Sequence, residues 1–252
     1  MGPTDWIATL GALAWTPHVY SAIKGAMTKP SVRIITSRVA EVGFTTFGTI
    51  LNVRMAFSVE HKDLVISGLR IKLRHDDGDE RIFEWQGIRQ QVLQMTTPDG
   101  SVMPYEKPQS VLAIKLNQKD VEERHIQCQE IAFISAKSDY EEIAMKKLSY
   151  LKQQERYDAA DFLGCQEMVD LYNFIKRSFS WKAGQYFVSI ELESTVPFSL
   201  IDSRYQFNLT PIDIEELEKN KQSIELGYKN AFVPETPQPA WNWRNPSLRK
   251  LS

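Results

Sequence analysis

Between residues 51 and 60 the chain alternates without interruption. Leu51, Val53, Met55, Phe57 and Val59 are apolar, and Asn52, Arg54, Ala56, Ser58 and Glu60 between them are polar or small. A period of two puts the first set on one face of an extended strand and the second on the other, so this stretch demands a sheet with one buried face. A helix would scatter the same side chains around its circumference. The pattern recurs where Leu69, Ile71 and Leu73 alternate with Arg70, Lys72 and Arg74, stops at HDDGDE (His75 to Glu80), and resumes with Arg81-Ile82-Phe83-Glu84-Trp85. That is a β-hairpin, with Asp77-Gly78 supplying the positive φ that a tight turn requires. Further strands are predicted at 31–35, 91–95, 111–116, 125–134, 185–193, 204–209 and 223–228.

Many short strands separated by Gly, Pro and Asp turns predict a mainly β fold, an antiparallel immunoglobulin-like β-sandwich over residues 31–232. The likeness is one of architecture, because the Cys…Trp…Cys spacing of antibody domains is absent and no functional residue carries over. A helical insertion is predicted at about 138–180. It opens on the capping box Ser138-Asp139-Tyr140-Glu141, with Ile143, Ala144, Leu148 and Leu151 following at helical spacing. After a polar break near 153–158, Met168, Leu171, Tyr172, Ile175 and Phe179 mark a second helix, and Lys176-Arg177 suit the negative end of its dipole. Thr210-Pro211 reads as an N-cap followed by proline at the first helical position, opening a helix to about Asn220. Residues 233–252 carry prolines, Trp241 and Trp243 without periodicity and form a Pro/Trp-rich tail.

Thirty basic residues against 32 acidic ones, with the signs interspersed, argue against nucleic acid as a partner. The two cysteines, Cys128 and Cys165, form no CxxC or Cys/His array, so they predict no disulfide framework and fit a reducing compartment.

Nucleotide-binding, hydrolase and zincin signatures are all missing. His125 and Cys128 fall on opposite faces of one strand, an outward imidazole beside an inward thiol, and so form no dyad. Asp76, Asp77, Asp79 and Glu80 are consecutive around a hairpin glycine instead of alternating as Ca²⁺ ligands do, and they read as a solvated turn. Glu191 and Glu193 lie opposite the apolar Tyr186, Val188, Ile190 and Leu192, on the solvent side of a strand. No catalytic residue, metal ligand or cofactor is therefore predicted, and an enzyme is the disfavoured class. Its best version is a hydrolase or lyase whose site the fold assembles from His61, His75 or the Asp76 to Glu80 cluster.

The remaining signal is the opening segment. Trp6 to Ile23 carries no formal charge over 18 residues. As a helix it would rise about 27 Å and just reach across a hydrocarbon core of about 30 Å, so a transmembrane helix is one reading. Asp5 precedes it and Lys24, Lys29 and Arg33 follow, which orients the β domain to the cytoplasm. A cleaved signal peptide is disfavoured because the positive leading region is missing. Against spanning, Thr16-Pro17 repeats the helix-start signature, and the alternative is two short helices at about 5–15 and 17–27. The stripe Trp6, Leu10, Leu13, Pro17 and Tyr20 suits a helix lying at an interface.

The expectation is a non-catalytic binding or scaffolding protein associated with a membrane. Trp6, Ile7, Leu10, Leu13, Trp15, Tyr20, Lys24 and Lys29, together with Trp241, Trp243 and Arg244 of the tail, would touch lipid or a protein partner. The competing expectation is a subunit of a cytoplasmic assembly that uses the N-terminal helix for docking, with homo-oligomerisation left open.

Overall fold

The computed structural model describes residues 16, 20, 27–96, 102–109, 112–233 and 236–251. The strands are β1 (Ser31–Thr45), β2 (Gly48–Glu60), β3 (Leu64–His75), β4 (Glu80–Thr96), β5 (Val102–Gln109), β6 (Ile114–Leu116), β7 (Val121–Glu130), β8 (Gly184–Ser194), β9 (Ser199–Ile201), β10 (Arg204–Leu209) and β11 (Arg249–Lys250). The helices are α1 (Ile131–Gln153), α2 (Ala159–Leu163), α3 (Gln166–Arg177), α4 (Pro211–Glu218) and α5 (Ile224–Phe232), with a 3₁₀ turn at Lys219–Ser223 joining the last two. The N-terminal helix predicted for residues 5–27 lies outside the described residues, apart from isolated positions within it.

The fold is mainly β, as the alternation requires, but an immunoglobulin-like division into two stacked sheets is not confirmed. All the strands join one hydrogen-bonded sheet in the order β11-β10-β8-β3-β4-β7-β2-β1-β9, with β5 on β4 and β6 on β3. Among the described residues, every pairing of these strands is antiparallel except that of β1 with β9. The order explains why the sheet curls. Strands β9 and β10 stand near opposite ends of the path, yet only Asp202 and Ser203 separate them in the chain.

The Pro/Trp stretch spans the seam that this curling leaves. The Arg244 N–H donates to the Val42 carbonyl at 2.9 Å, Ala40 N–H to the Pro246 carbonyl at 3.1 Å, and Leu248 N–H to the Arg38 carbonyl at 2.8 Å. Residues 249 and 250 then pair with Gln206 and Tyr205 of β10. Predicted as an aperiodic tail, the stretch ends in a short strand. Its backbone groups have found the unpaired ladder positions of β1 and β10.

Inside the curl, Leu51, Val53, Met55, Phe57 and Val59 of β2 pack with Ile71 and Leu73 of β3, Val188 and Ile190 of β8, and Phe207 of β10, all fully or almost fully buried. A second core surrounds the helices, where Phe133, Ala144 and Leu148 of α1 meet Met168, Leu171 and Ile175 of α3, together with Phe44 and Ile224. The helices thus cover the end of the sheet at the β1–β2 turn. There Gly48 holds φ +75°, and an added Cβ would stand 2.6 Å from the Phe133 ring. The β3–β4 turn is as predicted, with Gly78 at φ +93° and its N–H donating to the His75 carbonyl at 3.0 Å.

Two segments predicted as strand are helical. Residues 131–134 belong to a helix instead of extending the strand, so Ser138 sits inside α1 and caps nothing. The apolar run Ile131-Ala132-Phe133-Ile134 fits either period, and Phe133 with Lys137, four apart and both buried, shows that the helical one prevails. The Lys137 ammonium lies 2.8 Å from the Glu141 carboxylate and over the Phe47 ring. Likewise 223–228, predicted as a strand, opens α5. Ile224, Tyr228 and Phe232 recur every four residues against the second core, a period visible only when the window reaches Phe232. Thr210 does cap α4, accepting from the Asp213 N–H while Asp213 accepts from the Thr210 N–H.

Candidate binding groove

On the outer face of β10, β8, β3 and β4 the side chains fall into rows set by the register. Arg204 stands opposite Ser189, Ser189 opposite Lys72, and Lys72 opposite Ile82. In the adjacent row Gln206, Phe187, Arg74 and Glu80 follow the same order. These rows border a cavity of about 600 Å³, whose rim also includes Arg81 and Leu251. Its volume is in the range of ordinary ligand sites.

The lining holds four cations, Lys72, Arg74, Arg81 and Arg204, against one acid, Glu80. Lys72 is held 2.6 Å from Glu191, and Arg81 is divided between Asp79 at 2.9 Å and Glu130 at 3.3 Å. Arg74 and Arg204 meet no carboxylate among the described residues. The Arg74 guanidinium lies 5.2 Å from the Phe187 ring centroid, and Ile82 is 43% exposed beside it. A cation over an aromatic face beside exposed apolar surface can take up an anionic group and a hydrophobic one together.

Next to the groove, the hairpin tip satisfies itself. His75 is buried, with Nδ1 2.9 Å from Asp77 Oδ1 and 3.2 Å from Asp76 Oδ1, and Nε2 3.2 Å from the Ala183 carbonyl oxygen. Lys182 Nζ closes on Asp77 Oδ2 at 2.7 Å. Lys182, then the Asp79 N–H and then His75 hold the Asp77 carboxyl well below the usual carboxylate range. Because that value is lowered, the ionised form is the one the fold favours. Its contribution is present above the unfolded-state value and is lost only as pH falls through the folded one. In an NMR titration Asp77 is expected to stay ionised below about pH 3.9, where an ordinary aspartate is half protonated. Lys182→Met should move its midpoint back up, and an unchanged midpoint would contradict the pairing. Glu130 behaves oppositely, since burial pushes it up more than Arg81 pulls it down.

Glu191 and Glu193 face outward as expected, and each has a cation, Lys72 and Arg70 at 2.6 and 2.8 Å. His61 lies in the β2–β3 turn, at the end of β3 opposite His75, so the fold does not bring these two histidines together. No group of three or more His, Cys, Asp or Glu among the described residues is arranged to hold a metal ion. Cys128 is fully buried, which pushes its thiol far up, and His125 is on the other face.

Contrary to expectation, His125 is covered instead of solvent-facing. Its side chain is 10% exposed, with Nε2 3.3 Å from a Glu41 oxygen that also accepts from Asn52 Nδ2 at 3.2 Å. The outward Asn52 is buried too, and the Asn52 Oδ1 and His125 Nδ1 atoms have no hydrogen-bond partner among the described residues.

Of the residues expected to touch a membrane or partner, Trp6, Ile7, Leu10, Leu13, Trp15 and Lys24 lie outside the described residues, while Tyr20 and Lys29 are exposed. In the tail, Trp241 packs on the second core, and the Trp243 ring covers Gly43 so closely that a Cβ there would stand 2.3 Å from it. Arg244 reaches Asp213 at 3.4 Å and Glu216 at 3.7 Å. These tail contacts are with the chain's own β1, α4 and helical core. No helix among the described residues is long and apolar enough to cross a membrane.

The residues that sequence reasoning missed are Arg74, Phe187 and Arg204. The outward row of β3 was visible, but nothing in the sequence announces that β10 and β3 flank the same strand. No family model matches the chain, and comparisons with curated proteins and with solved structures find no match.

Proposed function

We propose that the chain is a non-catalytic binding protein, held on the cytoplasmic face of a membrane by residues 5–27, whose curled-sheet domain meets a protein partner. The observation that supports this reading most is the groove. Two arginines that meet no carboxylate among the described residues stand on strands beside exposed apolar surface, which is the chemistry of recognition. Four of the carboxylates weighed for catalysis are already tied to cations, Glu191 to Lys72, Glu193 to Arg70, Asp77 to Lys182 and Asp79 to Arg81. The likeness to immunoglobulin-like sandwiches enters here as a mode of use, in which outward strand faces and loops do the binding. A tether would raise the local concentration of such a surface near membrane-bound partners.

The full-length protein is expected to float with liposomes containing anionic lipid, and Leu10→Asp combined with Leu13→Asp should leave it at the bottom of the gradient. Wild-type protein that stays at the bottom would remove the membrane half of the proposal.

A further inference from the structure

We propose that the groove takes an extended acidic segment of the partner protein, with carboxylates on Arg74 and Arg204 and an apolar side chain between them on Phe187. This rests on the reading of the chain as a binding protein and names the chemistry of what it binds.

The geometry suits a strand-like ligand. Arg204 and Arg74 stand on β10 and β3, with β8 between them, and they are offset by one row. Two inter-strand steps and one row place their Cα atoms roughly 12 Å apart. Carboxylates at positions i and i+4 of an extended peptide lie on one face roughly 13 Å apart, and position i+2 faces the same way between them. Two flexible guanidinium arms easily absorb the difference. Each can grip a carboxylate through parallel N–H donors, which a nearby lysine does less specifically. Glu80 on the rim and the Lys72–Glu191 pair limit the positive field to these two positions. The groove therefore selects spaced single charges and disfavours a dense polyanion.

The spacing of the two cations favours a peptide over a lipid headgroup. Arg74 and Arg204 ask for two charges roughly 12 Å apart with an apolar side chain between them, which a layer of headgroups does not offer.

The test uses full-length protein and fluorescence anisotropy of a labelled peptide, Ser-Glu-Thr-Leu-Thr-Glu-Ser, beside its analogue with both Glu replaced by Gln. The acidic peptide should bind and weaken with added salt, and the Gln analogue should not bind. Arg74→Glu combined with Arg204→Glu should lower affinity about tenfold or more. Arg74→Gln with Arg204→Gln, which adds no new charge, provides a second reading if the reversal disturbs folding. Equal binding of the two peptides, no binding of either, or wild-type affinity in the Gln variant would overturn the proposal. So would phosphatidylserine vesicles competing the peptide off in a groove-dependent way. Liposome flotation of the same variants keeps the two ideas apart, because groove substitutions should leave it unchanged and its failure in the wild type strikes only the tether.

Discussion

Truncating Trp181 to alanine is expected to lower the unfolding free energy by about 4 kcal/mol. The indole is 3% exposed and stands just before β8. It stacks on Phe83 of β4 at 6.4 Å and meets Tyr186 of β8 edge-on at 5.4 Å and Phe207 of β10 at 6.3 Å. Its Nε1–H donates to the Gly43 carbonyl of β1 at 2.9 Å, so one side chain ties four strands of the curl. Alanine would leave a cavity among rings that cannot collapse freely, together with a buried carbonyl lacking its donor. Trp181→Phe keeps most of the packing and removes only the donor, and its cost should be about 1–2 kcal/mol. Urea denaturation of both variants checks this. Equal losses would assign the effect to the hydrogen bond, and a loss below about 1 kcal/mol in the alanine variant would show that the cluster closes over the gap.

Asn220→Ala should cost about 3 kcal/mol, and part of that loss should be local. Asn220 is 1% exposed, and its Nδ2 donates to the Phe44 carbonyl at 2.9 Å and the Asn242 carbonyl at 2.8 Å, while its Oδ1 accepts from the Asn242 N–H at 2.7 Å. This amide therefore fastens the closing stretch to the end of β1. Removing it strands three partners, two of them on Asn242. Amide hydrogen exchange should speed up first at 240–251, ahead of the interior strands. Uniform acceleration across the chain would mean that the closing stretch does not open on its own.

What the sequence made legible was local. The alternation of β2, the Asp77-Gly78 turn and the Thr210-Pro211 helix start each depend on a few neighbouring residues, and each is found where predicted. The long-range order was not legible. Strand β3 lies between β8 and β4, and β7 between β4 and β2, and no periodicity carries that information. The groove was hidden for the same reason, since Arg204 reaches the neighbourhood of Arg74 only through β8. Asn52 and His125 misled in another way, because a polar residue on the outward face of a strand is buried when further structure covers that face. The onset of α1 at Ile131 was set by the packing of Phe133 against Gly48, which outweighed the local capping signal at Ser138.

The seam has a kinetic meaning as well. Val39 and Val42 of β1 pair with Ser247 and Arg244, partners about 200 positions away in the chain. Contacts of such separation form only after much chain entropy has been lost, and topologies rich in them fold slowly. Pairing across the seam should therefore be a late step of refolding, and until it forms β1 and β10 carry free ladder groups. An unsealed edge of that kind is where two partly folded copies adhere. The time that passes before the seam closes should therefore bear on how concentrated this protein can be while it folds.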